Sequence, residues 1–148
     1  MKKAVLKPGK EVSLLRKHPW VFSGAIQELD DAFVGDWVQV YDSRNKLLGT
    51  GQVGDGSIAI RMLAFEAIDP NVDFWKSKLQ ACHQLRQHLG FGPNKPTNSY
   101  RLVHGEGDNL PGLIIDIYND CAVIQAHSLG MYNSINQIAE ALEQLDAL

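Results

Sequence analysis

The stretch WVQVYDSRNKLLGTGQVGDGSIAIRML, residues 37–63, holds three short runs of strand-forming residues separated by turn formers. Trp37–Tyr41 alternates apolar and polar residues and leads into Asp42-Ser43-Arg44-Asn45, a loop of turn residues. Leu47–Val53 reads as the returning strand, and Gly49 and Gly51 inside it signal a bulge or a close backbone approach. After Gly54-Asp55-Gly56 the alternation resumes over Ile58–Leu63. Upstream, Val5–Lys7 is a further short strand closed by Pro8-Gly9, and Glu11–Lys17 is a single helical turn. Several short strands at this spacing predict a small β-barrel.

Past Phe65 the period becomes helical. Asn71 is placed to cap a helix whose apolar positions are Val72, Trp75, Leu79, Cys82, Leu85 and Leu89, and Gly90-Phe91-Gly92-Pro93 ends it. Short strands follow at Tyr100–Val103, Leu113–Tyr118 and Ala122–Ala126, with Asn119-Asp120 as a tight hairpin turn. A last helix begins near Tyr132–Ser134, with Ile135, Ile138, Ala139, Leu142 and Leu145 on one face, and is expected to run to Leu148. The expected fold class is therefore α+β: a small barrel over residues 1–68, then an α+β domain over 69–148. The last helix shows no glycine cap, basic last turn or proline, so the chain reads as though cut.

At 148 residues, 45% hydrophobic and 21% charged, the chain can bury a core and is not expected to be disordered. No apolar run approaches the ~18 residues of a membrane span, and MKKAVLKPGK lacks the apolar region of a signal peptide. The two cysteines, Cys82 and Cys121, are too few for a disulfide framework or a four-ligand zinc site, and fit a cytoplasmic protein. The net charge of −3 hides an asymmetry. Residues 1–65 hold nine Lys or Arg against seven acids, whereas residues 66–148 hold five against ten. Within residues 1–17 the count is six to one, which offers either a footprint for a polyanion or an ordinary solvated N-terminus.

Two clusters carry candidate chemistry. Arg16-Lys17-His18-Pro19-Trp20-Val21-Phe22 brings two cations, an imidazole and two aromatics into seven residues, and His-Pro disfavours continued helix. Cations beside exposed rings suit RNA; the competing reading makes Trp20 and Phe22 core anchors. The second cluster, Tyr100 to Leu113, sets Arg101, His104, Glu106 and Asp108 on a glycine-rich loop, either to position substrate or as a structural turn with Arg101 paired to an acid. Gly105 and Gly107 lack both the GxGxxG spacing and a following Lys-Ser/Thr. His83 and His88 point to different sides of their helix, Cys121 and His127 lie too far apart to touch, and no catalytic triad or metal set assembles.

At these two clusters the sequence resembles the bacterial S-adenosylmethionine-dependent 23S ribosomal RNA cytosine-5 methyltransferases. Lys7-Pro8-Gly9, Leu14-Leu15-Arg16 and His18 through Ile26 are similar to that family's N-terminal PUA domain. Ser99-Tyr100-Arg101-Leu102, Gly105-Glu106, Asp108 and Leu110-Pro111-Gly112-Leu113 are similar to the signature of its central α+β domain, so the resemblance covers essentially the whole chain.

The resemblance implies a PUA-like barrel that helps hold ribosomal RNA, then a domain with a strand-strand-helix-strand-strand core. It also implies that the Rossmann-like methyltransferase domain, which holds S-adenosylmethionine and the nucleophilic cysteine, is absent from this chain and follows it in cis. On that reading the chain itself is inactive, binds no cofactor or metal and meets no membrane. Lys7, Arg16, Lys17, His18, Trp20 and Phe22 become the expected RNA contacts. Arg101, Glu106 and Asp108 become a domain-interface or substrate-positioning set, while Cys82 and Cys121 inherit no catalytic role. Two alternatives stay open: a free-standing RNA-binding adaptor, and a protein-interaction module whose acidic half meets a partner.

Overall fold

The computed structural model describes residues 1–145, which form two compact units. The first holds Met1–Ile68, with Ser128–Gly130 assigned to it; the second holds Asp69–His127 and Met131 onward. Together they are a mixed α+β fold: a curled six-stranded sheet, and a three-stranded sheet with two helices.

The first unit runs β1 (Lys2–Leu6), α1 (Val12–Leu15), β2 (Trp20–Phe22), β3 (Ile26–Leu29), β4 (Trp37–Tyr41), β5 (Leu47–Val53) and β6 (Ile58–Ala64). Its sheet order is β2-β6-β5-β4-β1-β3; β1 pairs in parallel with β4, and the other pairings are antiparallel. In β4 the alternation drives Val38 and Val40 inward, where they meet Ala4, Leu6, Leu14, Val21, Ile60 and Met62. Burying an aliphatic side chain of this size contributes about 2 kcal/mol, so this one face organises the unit.

The glycines of β5 act as their positions suggest. A Cβ on Gly49 would run into the Ala64 carbonyl, one on Gly51 would lie 2.5 Å from the Arg61 carbonyl, and the β5–β6 register shifts between Thr50 and Gly51. Pro8-Gly9 closes a turn in which the Lys10 amide donates to the Lys7 carbonyl (3.1 Å), with Gly9 at φ 83. Strand β3 lies outside the sequence expectations, because Ile-Gln-Glu-Leu carries no sustained alternation and only Ile26 turns away from solvent.

The second unit holds α2 (Val72–His88), β7 (Ser99–His104), β8 (Leu113–Tyr118), β9 (Cys121–Ala126) and α3 (Leu129–Glu143). The strands form an antiparallel meander in the order β7-β8-β9, and Asn119-Asp120 is the two-residue turn between β8 and β9. The Asn71 side chain accepts from the Phe74 amide at 2.9 Å and caps α2, a contact that contributes about 1 kcal/mol. Trp75, Leu79 and Cys82 of the expected stripe are buried, whereas Leu85 and Leu89 are exposed. Arg86 takes the inward position on that last turn.

On α3 the buried positions are Met131, Ser134, Ile138, Ala141 and Leu142, with Leu145 buried just beyond the helix. Gln137 Oε1 accepts from Trp75 Nε1 at 3.2 Å, tying α3 to α2. The expected run of this helix to Leu148 lies outside the described residues.

The two thiols differ in environment. Burial pushes Cys82 up to about 11, with the Asp108 carboxylate adding to the shift, while Cys121 is exposed. At pH 8 a thiol-reactive chromophore is expected to label one equivalent of cysteine rapidly, at Cys121, and the second only on unfolding; two rapid equivalents would contradict the burial of Cys82.

Candidate nucleic-acid interface

Helix α1 is one turn long, and its C-terminal closure shapes the surface beside it. The Lys17 amide donates to the Leu14 carbonyl and the His18 amide to the Ser13 carbonyl, both at 2.9 Å, the paired bonds of a Schellman closure. That geometry puts Lys17 at φ 65, in the left-handed region where glycine usually stands. Pro19 then denies the helix a further turn and favours an extended His18. Its carbonyl accepts from the Met62 amide at 2.7 Å, and β2 pairs with β6 from Trp20 onward. Along this extended run Val21 enters the core, and the side chains of His18, Trp20 and Phe22 gather on the opposite side.

A groove of about 910 Å³ lies between α1 and β2. Lys10, Arg16, Lys17, His18, Trp20 and Phe22 stand on its wall, Leu14 and Val21 contribute apolar surface, and no acid lines it among the described residues. Arg16, Lys17, His18 and Phe22 are exposed, and Trp20 is half-buried. The rings of His18 and Trp20 lie 5.9 Å apart and those of Trp20 and Phe22 6.2 Å apart, both pairs edge-on. The Trp20 amide donates to His18 Nδ1 at 3.2 Å, which in the neutral ring puts the proton on Nε2. Lys17 Nζ sits 4.9 Å over the Phe65 ring.

Five of the six expected RNA contacts therefore share one groove. The sixth, Lys7, is exposed but stands outside the wall. Lys10 takes a place on it; the basic run of residues 1–17 contained this signal, but its position in the Pro8-Gly9 turn gave no hint of the groove. Lys2 pairs with Asp36 (3.4 Å), and Lys3 bonds Asn45 and lies 4.3 Å over the Tyr41 ring. The N-terminal basic residues thus do not all converge on one surface.

The loop of the second unit is organised differently from its sequence pattern. Asp108 Oδ2 accepts from Arg86 Nη2 and from the His104 amide, each at 2.6 Å, and the Arg86 and Asp108 side chains are only 12% and 7% exposed. Arg86 Nε also donates to the Arg101 carbonyl at 3.0 Å. Arg101 itself forms a two-pronged pair with Asp116 on β8 (2.8 and 3.3 Å) and approaches His104 Nδ1 at 3.3 Å; the Asp116 partnership raises its already high pKa. Glu106 is exposed on the turn Gly105–Asp108. Arg101, Glu106 and Asp108 thus share a loop region without forming one cluster, and the partners Arg86 and Asp116 carried no mark in the sequence. Among the described residues no group of three or more His, Cys, Asp or Glu can hold a metal ion.

Two stability comparisons follow from these contacts, both read by urea unfolding. Lys17→Gly is expected to be more stable than Lys17→Ala by about 1 kcal/mol, because only glycine occupies the left-handed position without strain; equal stabilities would remove the strain. Asp108→Ala, which strands the buried Arg86 guanidinium, is expected to cost about 3 kcal/mol. Arg101→Ala, at a solvent-exposed pair, should cost far less than Asp108→Ala. The reverse order would overturn the assignment of Asp108 as the structural anchor.

Comparison with known proteins adds the following. Residues 4–65 match the PUA-like domain family. The chain is 40% identical over 145 residues to ribosomal RNA large subunit methyltransferase I of Alteromonas mediterranea, covering 95% of this chain and 36% of that protein. It is 41% identical over 131 residues to the protein of the same name from Erwinia tasmaniensis, covering 85% and 32% respectively. Among solved structures, SMU.776, which carries a methyltransferase name and was solved with SAH, superposes with a TM-score of 0.83 at 23% identity, over 97% of this chain and 37% of that one. The chain spans about a third of the length of the curated relatives it matches. Residues 4–65 are thus a PUA-like domain, and the chain is, over nearly its whole length, a close homologue of proteins named ribosomal RNA large subunit methyltransferase I.

Proposed function

We propose that this chain is the RNA-docking portion of a cytoplasmic ribosomal RNA methyltransferase, with the catalytic domain lying in cis outside these residues. The observation that carries the reading is the α1–β2 groove, where Lys10, Arg16 and Lys17 stand beside the exposed rings of His18 and Phe22 with no acid on the wall. Cations there neutralise phosphates while rings receive unstacked bases, and Lys7 adds a phosphate contact from the neighbouring turn. In the second unit, Arg101 and Glu106 face the catalytic domain or position the substrate, and Asp108 acts by fixing their loop against Arg86.

The parent reaction on this reading is methyl transfer from S-adenosylmethionine to carbon 5 of a cytosine in 23S ribosomal RNA, carried out on an extruded base. The residues of this chain do not fit that cofactor. S-adenosylmethionine carries a sulfonium cation, which the groove would meet with three further cations, and the Gly105–Asp108 turn is closed by its own contacts to Arg86. Neither thiol is assigned a catalytic role on this reading: burial holds Cys82 well above the ordinary thiol range, and Cys121 stands on an exposed strand.

Fluorescence anisotropy with a structured ribosomal RNA fragment, titrated at several salt concentrations, tests the docking role. Binding is expected with a log–log salt slope of roughly −2 to −3, equivalent to about three or four neutralised phosphates. Arg16→Ala with Lys17→Ala should lower affinity and flatten that slope on every RNA tested, while Arg101→Ala should leave both within about twofold. Absence of binding at low salt would sink the proposal.

A further inference from the structure

The three rings beside α1 are arranged more closely than their sequence spacing dictates. In a straight strand, His18 and Phe22, four residues apart, would stand about 13 Å from one another. Their ring centroids are 6.5 Å apart with planes 42° from parallel. Two features bend the run: Pro19 follows His18 directly, and the β2–β6 register shifts between Val21 and Phe22, a local irregularity of the kind that re-aims side chains. Trp20 stands nearly perpendicular to both neighbours, at 78° to His18 and 90° to Phe22. The three ring centroids lie 5.9–6.5 Å from one another, a compact aromatic cluster on the groove wall in which Phe22 remains 49% exposed.

We infer that His18, Trp20 and Phe22 form a clamp for a single unpaired nucleobase, so that the groove selects RNA carrying a bulged or splayed nucleotide over continuous duplex. The inference rests on the RNA-docking reading above and specifies which RNA. Aromatic boxes also suit quaternary ammonium groups, but Lys10, Arg16 and Lys17 on the same wall repel a cation and no acid offsets them. A planar base attached to a phosphate satisfies both halves of the site: its faces stack on the rings, and its backbone meets Arg16 and Lys10. A base held between opposed rings requires a gap of roughly 7 Å, two intervals of the ~3.4 Å stacking repeat. The 6.5 Å separation of the His18 and Phe22 centroids falls just short of that gap, and a small outward shift of these two exposed side chains opens it while Val21 stays in the core.

The test uses the 148-residue chain and three hairpin RNAs of one sequence: fully paired, carrying a single-nucleotide bulge, and carrying the same bulge without its base. The bulged RNA is expected to bind roughly tenfold tighter than the other two, the scale of one base–aromatic stack. 2-Aminopurine in the bulge should lose fluorescence on binding. Phe22→Leu, an apolar replacement at an exposed position, should erase the preference for the bulged RNA, and Phe22→Tyr should restore it. Equal binding of all three RNAs, an unquenched bulge, or a preference that survives Phe22→Leu would overturn the clamp and leave the docking role standing. No binding of any of them at low salt would remove both.

Discussion

Helix α1 ends because the amides of Lys17 and His18 turn back onto the carbonyls of Leu14 and Ser13, and Pro19 then bars any return to helix. The rest of the proposed docking face would have no shape without this closure; with it, one wall of the groove is α1 and the other is an extended run in register with β6. A lysine in a left-handed conformation is costly beside glycine, yet the side chain contributes an ammonium over the Phe65 ring and a cation at the groove. Backbone strain and surface chemistry therefore meet at one residue.

The second unit shows the opposite relation between sequence and role. Its glycine-rich loop displays the residue types of an acid–base site, but the most buried of them is spent on structure. Asp108 gathers a guanidinium from α2 and an amide from the end of β7, and Arg86 passes the restraint on to the Arg101 carbonyl. A carboxylate so shielded, with both donors at hydrogen-bonding distance, is suited to hold a loop still and poorly suited to exchange protons with a substrate. Glu106 on that fixed loop and Arg101 on β7 both face solvent.

Where one face of an element is buried, the sequence is transparent. Trp37–Tyr41 and Leu47–Val53 emerge with the bounds their patterns suggest, because alternation or a glycine pair records directly which side meets the core. Helix α2 is readable through Cys82 and misleading after it: Leu85 and Leu89 continue an apolar pattern that the fold leaves in solvent, since the inward place goes to Arg86 and its partner on a distant loop. Strand β3 hides because it is an edge with a single inward residue. The aromatic spacing at 18, 20 and 22 is plain in the sequence, but the convergence of the rings depends on a register shift set by β6, and no local pattern encodes that.

The placement of β1 bears on how the first unit is built in time. The opening strand of the chain lies inside the sheet, hydrogen-bonded to β4 on one side and β3 on the other, with Lys2 facing Val38. The meander β4-β5-β6 closes through short turns, whereas β1 gains its parallel neighbour only after a long loop has been drawn together. Strand β1 can pair with β3 first, and gains its place inside the sheet only when β4, ending at Tyr41, is formed. An intermediate that has formed the meander but not yet captured β1 carries an open edge at β4, along a strand whose alternate residues are Val38 and Val40. Insertion of β1 between β4 and β3 is thus the step that completes the six-stranded sheet.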